Sequence, residues 1–283
     1  MLHSKKLSLL SFMIAIFAIS SCEEELIRNI IVAERLDSLI TDVTEPVDEL
    51  SPATTLANVI YEETVEGPQP FSTAHDWDVG DWDYALQFVN SPVFKGNRSA
   101  RFEIQKDQEL VANGKRSEVT IIKGAEEGVA KEMWYSFAVL FPTIGYEYDS
   151  EREVINQWFQ NGSPATSLRT QKDRILLESG NTIDTRVKYD IGAITKDTWH
   201  TFVIHFIHSY GSDGIIELWH NGTKKLTIQG GNMYDDILPK WKIGLYKAAF
   251  KDESSDVTRR IIYFDNVKVG NKDSTHETLD PKL

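Results

Sequence analysis

The chain holds a single cysteine, Cys22, in 283 residues. No intrachain disulfide can form, and the folded body has no thiol nucleophile. Basic charge is also short, with 30 Lys and Arg against 43 Asp and Glu and a net charge of −13. Lys5 and Lys6 near the start, and nine acids against two arginines over 23–55, leave about −8 of that total for the rest of the chain. Nucleic-acid backbones need a basic face, so a body of this sign argues against that class of partner. The one long apolar run, "LSLLSFMIAIFAIS" (7–20), is too short to span a bilayer. Beyond residue 56 no segment carries the spacing of a long amphipathic helix.

What is present begins with that leader. "HSKK" supplies a positive start, the apolar run comes next, and "SSC" places small residues before the cysteine, as in an export signal over 1–21. The position of Cys22 resembles the lipobox of bacterial lipoproteins, in which this cysteine is acylated and becomes the mature N-terminus. Glu23, Glu24 and Glu25 resemble the acidic tag that carries such lipoproteins to the cell surface in Bacteroidetes-type bacteria. The resemblance implies an outer-membrane lipoprotein anchored at Cys22 and facing outward. Residues 22–55 read as an acidic tether: "LIRNIIVAERLDSLI" has helical spacing, but Pro46 and Pro52 interrupt the segment after it.

From 56 to 283 the pattern changes to short strands separated by turn residues. "RSARFEIQ", "KRSEVTII", "EMWYSFAVLF", "EVINQWFQ", "RILLES", "TRVKYDIG", "WHTFVIHFIHS", "GIIELWHNG", "KKLTIQG", "KIGLYKAAF" and "RRIIYFDNVKVG" alternate or run apolar, with Gly, Pro, Asn or Asp between them. The expectation is one all-β domain, a jelly-roll sandwich of two curved antiparallel sheets.

The series "WHTFVIH", "GIIELWHNG" and "IYFDNVKVG" is similar to strands of the concanavalin-like jelly rolls in bacterial polysaccharide lyases of the heparin lyase I, glucuronan lyase and ulvan lyase type. The likeness covers about residues 65–270. Three short motifs add to it: "RSE" (116–118), "NQWF" (156–159) and "KIGLY" (242–246) stand in the order of the cleft-lining strands of those lyases. Strand period two puts Arg116 with Glu118, Gln157 with Phe159, and Lys242 with Tyr246 on common faces. The activity implied is endo-cleavage of a uronic-acid polysaccharide by β-elimination, with ulvan as the expected substrate.

That reaction explains the residue types. The C5 proton beside a uronate carboxylate becomes acidic only when the carboxylate is neutralised, a task for Arg116 and Gln157. Glu118, on the face of Arg116, can fix the guanidinium plane by paired hydrogen bonds and leave its other edge for substrate. Tyrosine can protonate the departing O4 if nearby cations lower its pKa from about 10. Tyr246 has Lys242 on its own face and Lys247 beside it, and both lysines, with Glu118, are expected among the substrate-binding residues. The base is either Tyr246 or His75, because Phe159 stands where related lyases carry a histidine, and His75 in "STAHDWDVGDWDY" is the best replacement. His200, His205 and His208 read as core or sheet-face residues. Trp77 and Trp82 are candidates for stacking on sugar rings, whereas Trp158, Trp199 and Trp219 read as packing.

No cofactor is expected and no metal ligand set is written in the sequence. The "DESSD" cluster (252–256) could give oxygens to a structural calcium but lacks an ordered spacing. The partners expected are an anionic polysaccharide and, through the lipid, the outer membrane; the protein is expected to be monomeric. A retaining glycosidase on this scaffold would show an E-x-D-x-x-E array, which is missing. The alternative function is a surface lipoprotein that binds carbohydrate without cleaving it.

Overall fold

The computed structural model describes residues 58–283 except 161 and 253. The leader, Cys22, the acidic triplet and the tether to residue 55 therefore lie outside the described residues.

Alternation along each strand builds the core. In β6 (Glu132–Leu140) Met133, Tyr135, Phe137 and Val139 alternate into the core, in β11 (Trp199–Ile207) Phe202, Ile204 and Phe206 do so, and in β15 (Arg259–Gly270) Ile262, Phe264, Val267 and Val269 do so across a bulge. In β7 (Glu153–Gln160), β8 (Ser163–Gln171), β9 (Arg174–Ser179) and β14 (Lys240–Tyr246) the residues on the core side are Ile155, Trp158, Leu168, Leu177, Trp241 and Ile243, with a bulge in β7 behind the three-residue step from Ile155 to Trp158. These two sets face each other as the inner faces of two sheets. Across the gap Tyr135 meets Trp158 edge-on at 5.3 Å, and Phe206 lies 4.3 Å from Trp158. Such ring pairs each add about 0.5–1.5 kcal/mol beyond their buried area.

The first sheet runs β13 (Thr223–Gln229), β12 (Ile215–His220), β11, β6, β15, β4 (Ser99–Gln105), β3 (Leu86–Val89), and β1 (Val59–Glu63) also pairs with β15. The second runs β10 (Val187–Ala193), β9, β8, β7, β14, β5 (Arg116–Lys123), β2 (Asp76–Asp78). All described strand pairs are antiparallel. Outside the strands, the helical elements described are two single 3₁₀ turns at Ala125–Glu127 and Ala248–Phe250. This is the expected all-β jelly-roll sandwich, and each of the eleven segments read as a strand forms one.

Four strands were not legible: β1, β2, β3 and β8. The sequence of β8, "SPATSLRTQ", has a proline at its second position and few large apolar residues. It is nonetheless an interior strand, because Leu168 supplies the core contact while its other face is polar.

Candidate active site

The outer face of the seven-stranded sheet is built in rows set by strand register. One row crosses four neighbouring strands: Arg116 on β5 pairs with Tyr246 on β14, Tyr246 with Val154 on β7, and Val154 with Arg169 on β8. A second joins Thr120, Lys242, Gln157, Ser167 and Glu178. The pairing of β7 is bulged between Val154 and Asn156, so Val154 and Gln157, three apart, share the outer face. Gly244 makes the close approach of β14 and β5 possible. Its φ is +124°, and a Cβ there would meet the Ser117 carbonyl oxygen at 2.3 Å.

Glu118 is the hub of the site. It is buried, and its carboxylate accepts from Arg116 Nη1 at 3.2 Å, from Lys242 Nζ at 3.4 Å and from the Gln157 amide nitrogen. The expected contact between Arg116 and Glu118 is therefore present, but as one hydrogen bond where a pair was expected. The second anchor is Asp78, which accepts from Lys242 and lies 3.7 Å from Arg116 Nη1. Burial raises the Asp78 pKa, yet the Lys242 hydrogen bond and the charges of Lys242, Arg116 and Lys240 outweigh it and hold the carboxyl below its usual range.

Arg116 is left with capacity to spare. Its Nε is buried without an acceptor among the described residues, and its guanidinium lies over the Tyr246 ring at 4.6 Å from the centroid. Both side chains open onto a cavity of about 210 Å³ that is also lined by Gln157, Phe159, Arg152, Arg169 and Arg186. Phe159 shares the outer face with Gln157, and Lys240 Nζ sits 5.1 Å from its ring centroid.

The structure thus gathers Arg116, Glu118, Gln157, Lys242 and Tyr246 into one place. It does not bring Lys247 there. Lys247 is fully buried and pairs with Glu153 at 2.7 Å and Asp149 at 3.0 Å. Strand β14 ends at Tyr246, so the next side chain leaves on the opposite side and meets those acids. A role for Lys247 in substrate binding is corrected on this ground.

His75 is also elsewhere. Directly before β2, it bonds Glu127 and lines a different cavity with Ile60, Tyr61, Glu62 and Ile122. Trp77 is paired with Val119, whose side chain is core, and packs edge-on against Phe71 at 6.3 Å; it is on the side of β2 opposite Asp78. Trp82 stacks on Tyr84 at 5.8 Å and lies outside the cavity lining. Four more histidines lie on or directly beside the eight-stranded sheet: His200 and His220 stack at 5.0 Å, His208 meets the Tyr135 hydroxyl, and His205 sits between Glu132 and Glu217. Burial, with a smaller push from His205, lowers the His208 pKa to about 3.

Among the described residues no group of three or more His, Cys, Asp or Glu side chains is arranged to hold a metal ion. In the 252–256 cluster one oxygen of Asp256 is taken by the Ser150 backbone and hydroxyl.

Compared with known proteins, residues 69–268 match the family described as polysaccharide lyase. The chain belongs to that family. No curated protein matches it significantly in sequence. Among solved structures, an endo-β-1,4-glucuronan lyase from the fungus Trichoderma reesei superposes with a TM-score of 0.56 at 18% identity, over 75% of this chain and all of that one. The binding domain of Paraclostridial Mosquitocidal Protein 1 gives 0.55 at 10% identity, over 80% of this chain and 51% of that one. The alginate lyase Aly36B gives 0.48 at 14% identity, over 76% and 98%. A toxin binding domain and a lyase share the scaffold, so the fold alone does not assign the chemistry.

In this polysaccharide lyase four cavity or anchor residues escape a reading of the sequence: Asp78, Arg152, Arg169 and Arg186. Asp78 had a signal, since it alternates with Asp76 in "HDWDVG". Arg169 had none, because the strand that carries it was itself unrecognised.

Proposed function

We propose that this lyase cleaves a uronic-acid-containing polysaccharide within the chain by β-elimination, with Tyr246 as both base and acid. The observation that carries the reading is the Arg116–Tyr246 pair, a guanidinium with unused donor capacity held against a phenol at the wall of one cavity. The uronate carboxylate lies against Arg116 and the second N–H of the Gln157 amide, whose first is engaged by Glu118. These donors carry the charge that builds on the carboxylate as C5 loses its proton. The Tyr246 oxygen, deprotonated, takes that proton. The C5–H pair becomes the C4=C5 double bond, the C4–O4 bond breaks, and the phenol returns the proton to O4. The proton therefore travels from C5 to O4 and the tyrosine is regenerated.

Asp78 and Glu118 serve by position. They hold Lys242 and Arg116 as a fixed cationic floor, so little reorganisation is needed when charge develops. With His75 facing another cavity, Tyr246 does both proton transfers. The name of the fungal glucuronan lyase, which shares the fold, supports an endo-acting enzyme on a uronate polymer. Ulvan is the substrate we assign, since it combines a uronate with sulfated rhamnose and the cavity is lined by four arginines. The reading includes acylation at Cys22, an outer-membrane cell-surface location, a monomeric enzyme and no required cofactor.

The test is a panel of ulvan, glucuronan, alginate and heparin-type glycans, read by the absorbance of the new C4=C5 bond with and without a chelator. Ulvan should give the fastest rise, unchanged by the chelator. Binding without absorbance on every polymer would replace the enzyme reading with the carbohydrate-binding one.

A further inference from the structure

The cavity beside Tyr246 holds more positive charge than the elimination needs. Arg116 is enough to neutralise one carboxylate, yet Arg152, Arg169 and Arg186 line the same 210 Å³ space. Register places Arg169 two strands beyond Tyr246 in the same row, about 10 Å away at the usual strand spacing. That is a backbone spacing, and the side chains converge on one cavity, so the arginines beyond Arg116 offer donors that one carboxylate cannot use up and that suit a substituent on an adjoining sugar.

These three arginines are poorly compensated. Among the described residues the one carboxylate they meet is that of Glu178, which pairs with Arg169 Nε at 2.6 Å and Arg152 Nη1 at 3.3 Å. Arg169 Nε also donates to the Ser167 hydroxyl at 2.9 Å, while its two terminal nitrogens have no acceptor among the described residues. Arg186 binds neutral groups: the carbonyl oxygens of Ile183 and Pro164, both at 3.2 Å, and the Ser163 hydroxyl at 3.5 Å. Arg169 is buried, and burial, reinforced by repulsion from Arg152 and Arg186 against the pull of Glu178, lowers its pKa to about 10. Three guanidinium groups on one cavity, two of them sharing a single carboxylate and one of them desolvated, leave an excess charge that an oxyanion in the cavity would offset. The net charge of the body has the opposite sign, so this is a local construction rather than a by-product of composition.

We propose that Arg152, Arg169 and Arg186 form a second anion subsite that binds an oxyanion substituent, a sulfate ester or a carboxylate, on the sugar adjoining the reacting uronate. The proposal rests on the lyase reading for its substrate and names the determinant of specificity within it. Arginine suits the task because its planar fork gives two parallel donors to such a group.

The test uses Arg186→Gln and Arg152→Gln, which spare the buried Arg169. KM for ulvan should rise about tenfold or more in each, while kcat falls by less than about threefold, the pattern of lost binding away from the reacting atoms. Binding to the Tyr246→Phe protein should weaken by the same factor when Arg186→Gln is added, and should depend less steeply on salt. This calorimetric arm stands even if no polymer is cleaved, so loss of the lyase reading and loss of the subsite are told apart. Chemically desulfated ulvan and unsulfated glucuronan identify the ligand. If sulfate is bound, the wild type loses affinity on desulfation and Arg186→Gln does not. If a carboxylate is bound, Arg186→Gln weakens glucuronan binding as much as ulvan binding. Unchanged affinity and salt dependence in both variants for every polymer would overturn the proposal.

Discussion

Two charge clusters of like composition sit at the end of β14 and have opposite fates. In one, Arg116 lines the cavity and holds Lys242, Asp78 and Glu118 behind it, while in the other Lys247, Arg260, Asp149 and Glu153 close on one another. Each has two cations and two carboxylates. In the enclosed set Arg260 Nε reaches Glu153 at 2.9 Å, its guanidinium lies over the Tyr146 ring at 4.2 Å, and the Ser255 hydroxyl donates to Asp149. In the open set Arg116 retains an unpartnered Nε, and a phenol stands beside it. Four charges that satisfy one another cement loops to the sheet, whereas four that do not quite do so, next to a cavity, can meet a substrate. Buried ion pairs are costly to break and contribute little net stability when intact, so the enclosed set is a point of vulnerability and the open set a point of function.

The sharpest way to break this contrast is Tyr246→Phe. It removes one oxygen from the open side and should lower product formation by about 100- to 10,000-fold, the span of general acid–base contributions. The urea midpoint should stay near that of the wild type. Turnover close to wild type would remove Tyr246 from the chemistry.

On the enclosed side, Lys247→Met keeps the volume but leaves Asp149 and Glu153 with Arg260 alone. Stability should fall by about 3–5 kcal/mol, measured by urea denaturation, while kcat per folded molecule changes little. A large loss of kcat at unaltered stability would return Lys247 to the active site and undo the comparison.

Gln157→Ala is the next largest effect. One preorganised donor to a developing oxyanion is worth on the order of a 100-fold change in kcat, and KM should move less. Full activity in this variant would mean that Arg116 neutralises the carboxylate unaided.

Acid should separate the clusters more gently. Burial raises the pKa of Asp149 and Glu153, but hydrogen bonds and the charges of Lys247 and Arg260 prevail and hold both below the normal range. His220 is lowered to about 4, chiefly by burial and then by His200. In both cases the unfolded chain binds more protons, so stability is lost as pH falls. The His220 part disappears between its unfolded value of 6.5 and about 4, and the carboxylate part is lost below the usual carboxylate range. Urea midpoints taken across that span should decline, and His220→Gln should make the upper portion shallower, leaving the part that His200 and His208, also lowered by burial, contribute. A flat profile for the wild type would contradict this assignment.

Much of the site was legible because period-two alternation is local. Arg116 with Glu118, Gln157 with Phe159, and Lys242 with Tyr246 share faces, as their spacing requires. One residue on, at Lys247, the strand ends and the chain enters a 3₁₀ turn at Ala248–Phe250. Spacing could say that Lys247 leaves the face of Tyr246 but not that two acids wait for it. It also could not say which side of β2 looks into the cavity, so Trp77 and His75 were favoured over Asp78. That choice depends on the pairing of Asp78 with Glu118, a contact between segments distant in sequence.

Eleven strand-like segments were enough to specify the sandwich, and spacing within a strand the face shared by each motif pair, because both arise from neighbours along the chain. Which motifs meet depended on how the strands assemble. The row from Arg116 through Tyr246 and Val154 to Arg169 joins β5, β14, β7 and β8, an order far from that of the chain, and its register is set by the bulge in β7 and by Gly244. Side-chain direction is a local property of the backbone, whereas proximity across strands is set by packing of the whole core, and the arginine-lined cavity is a product of the second.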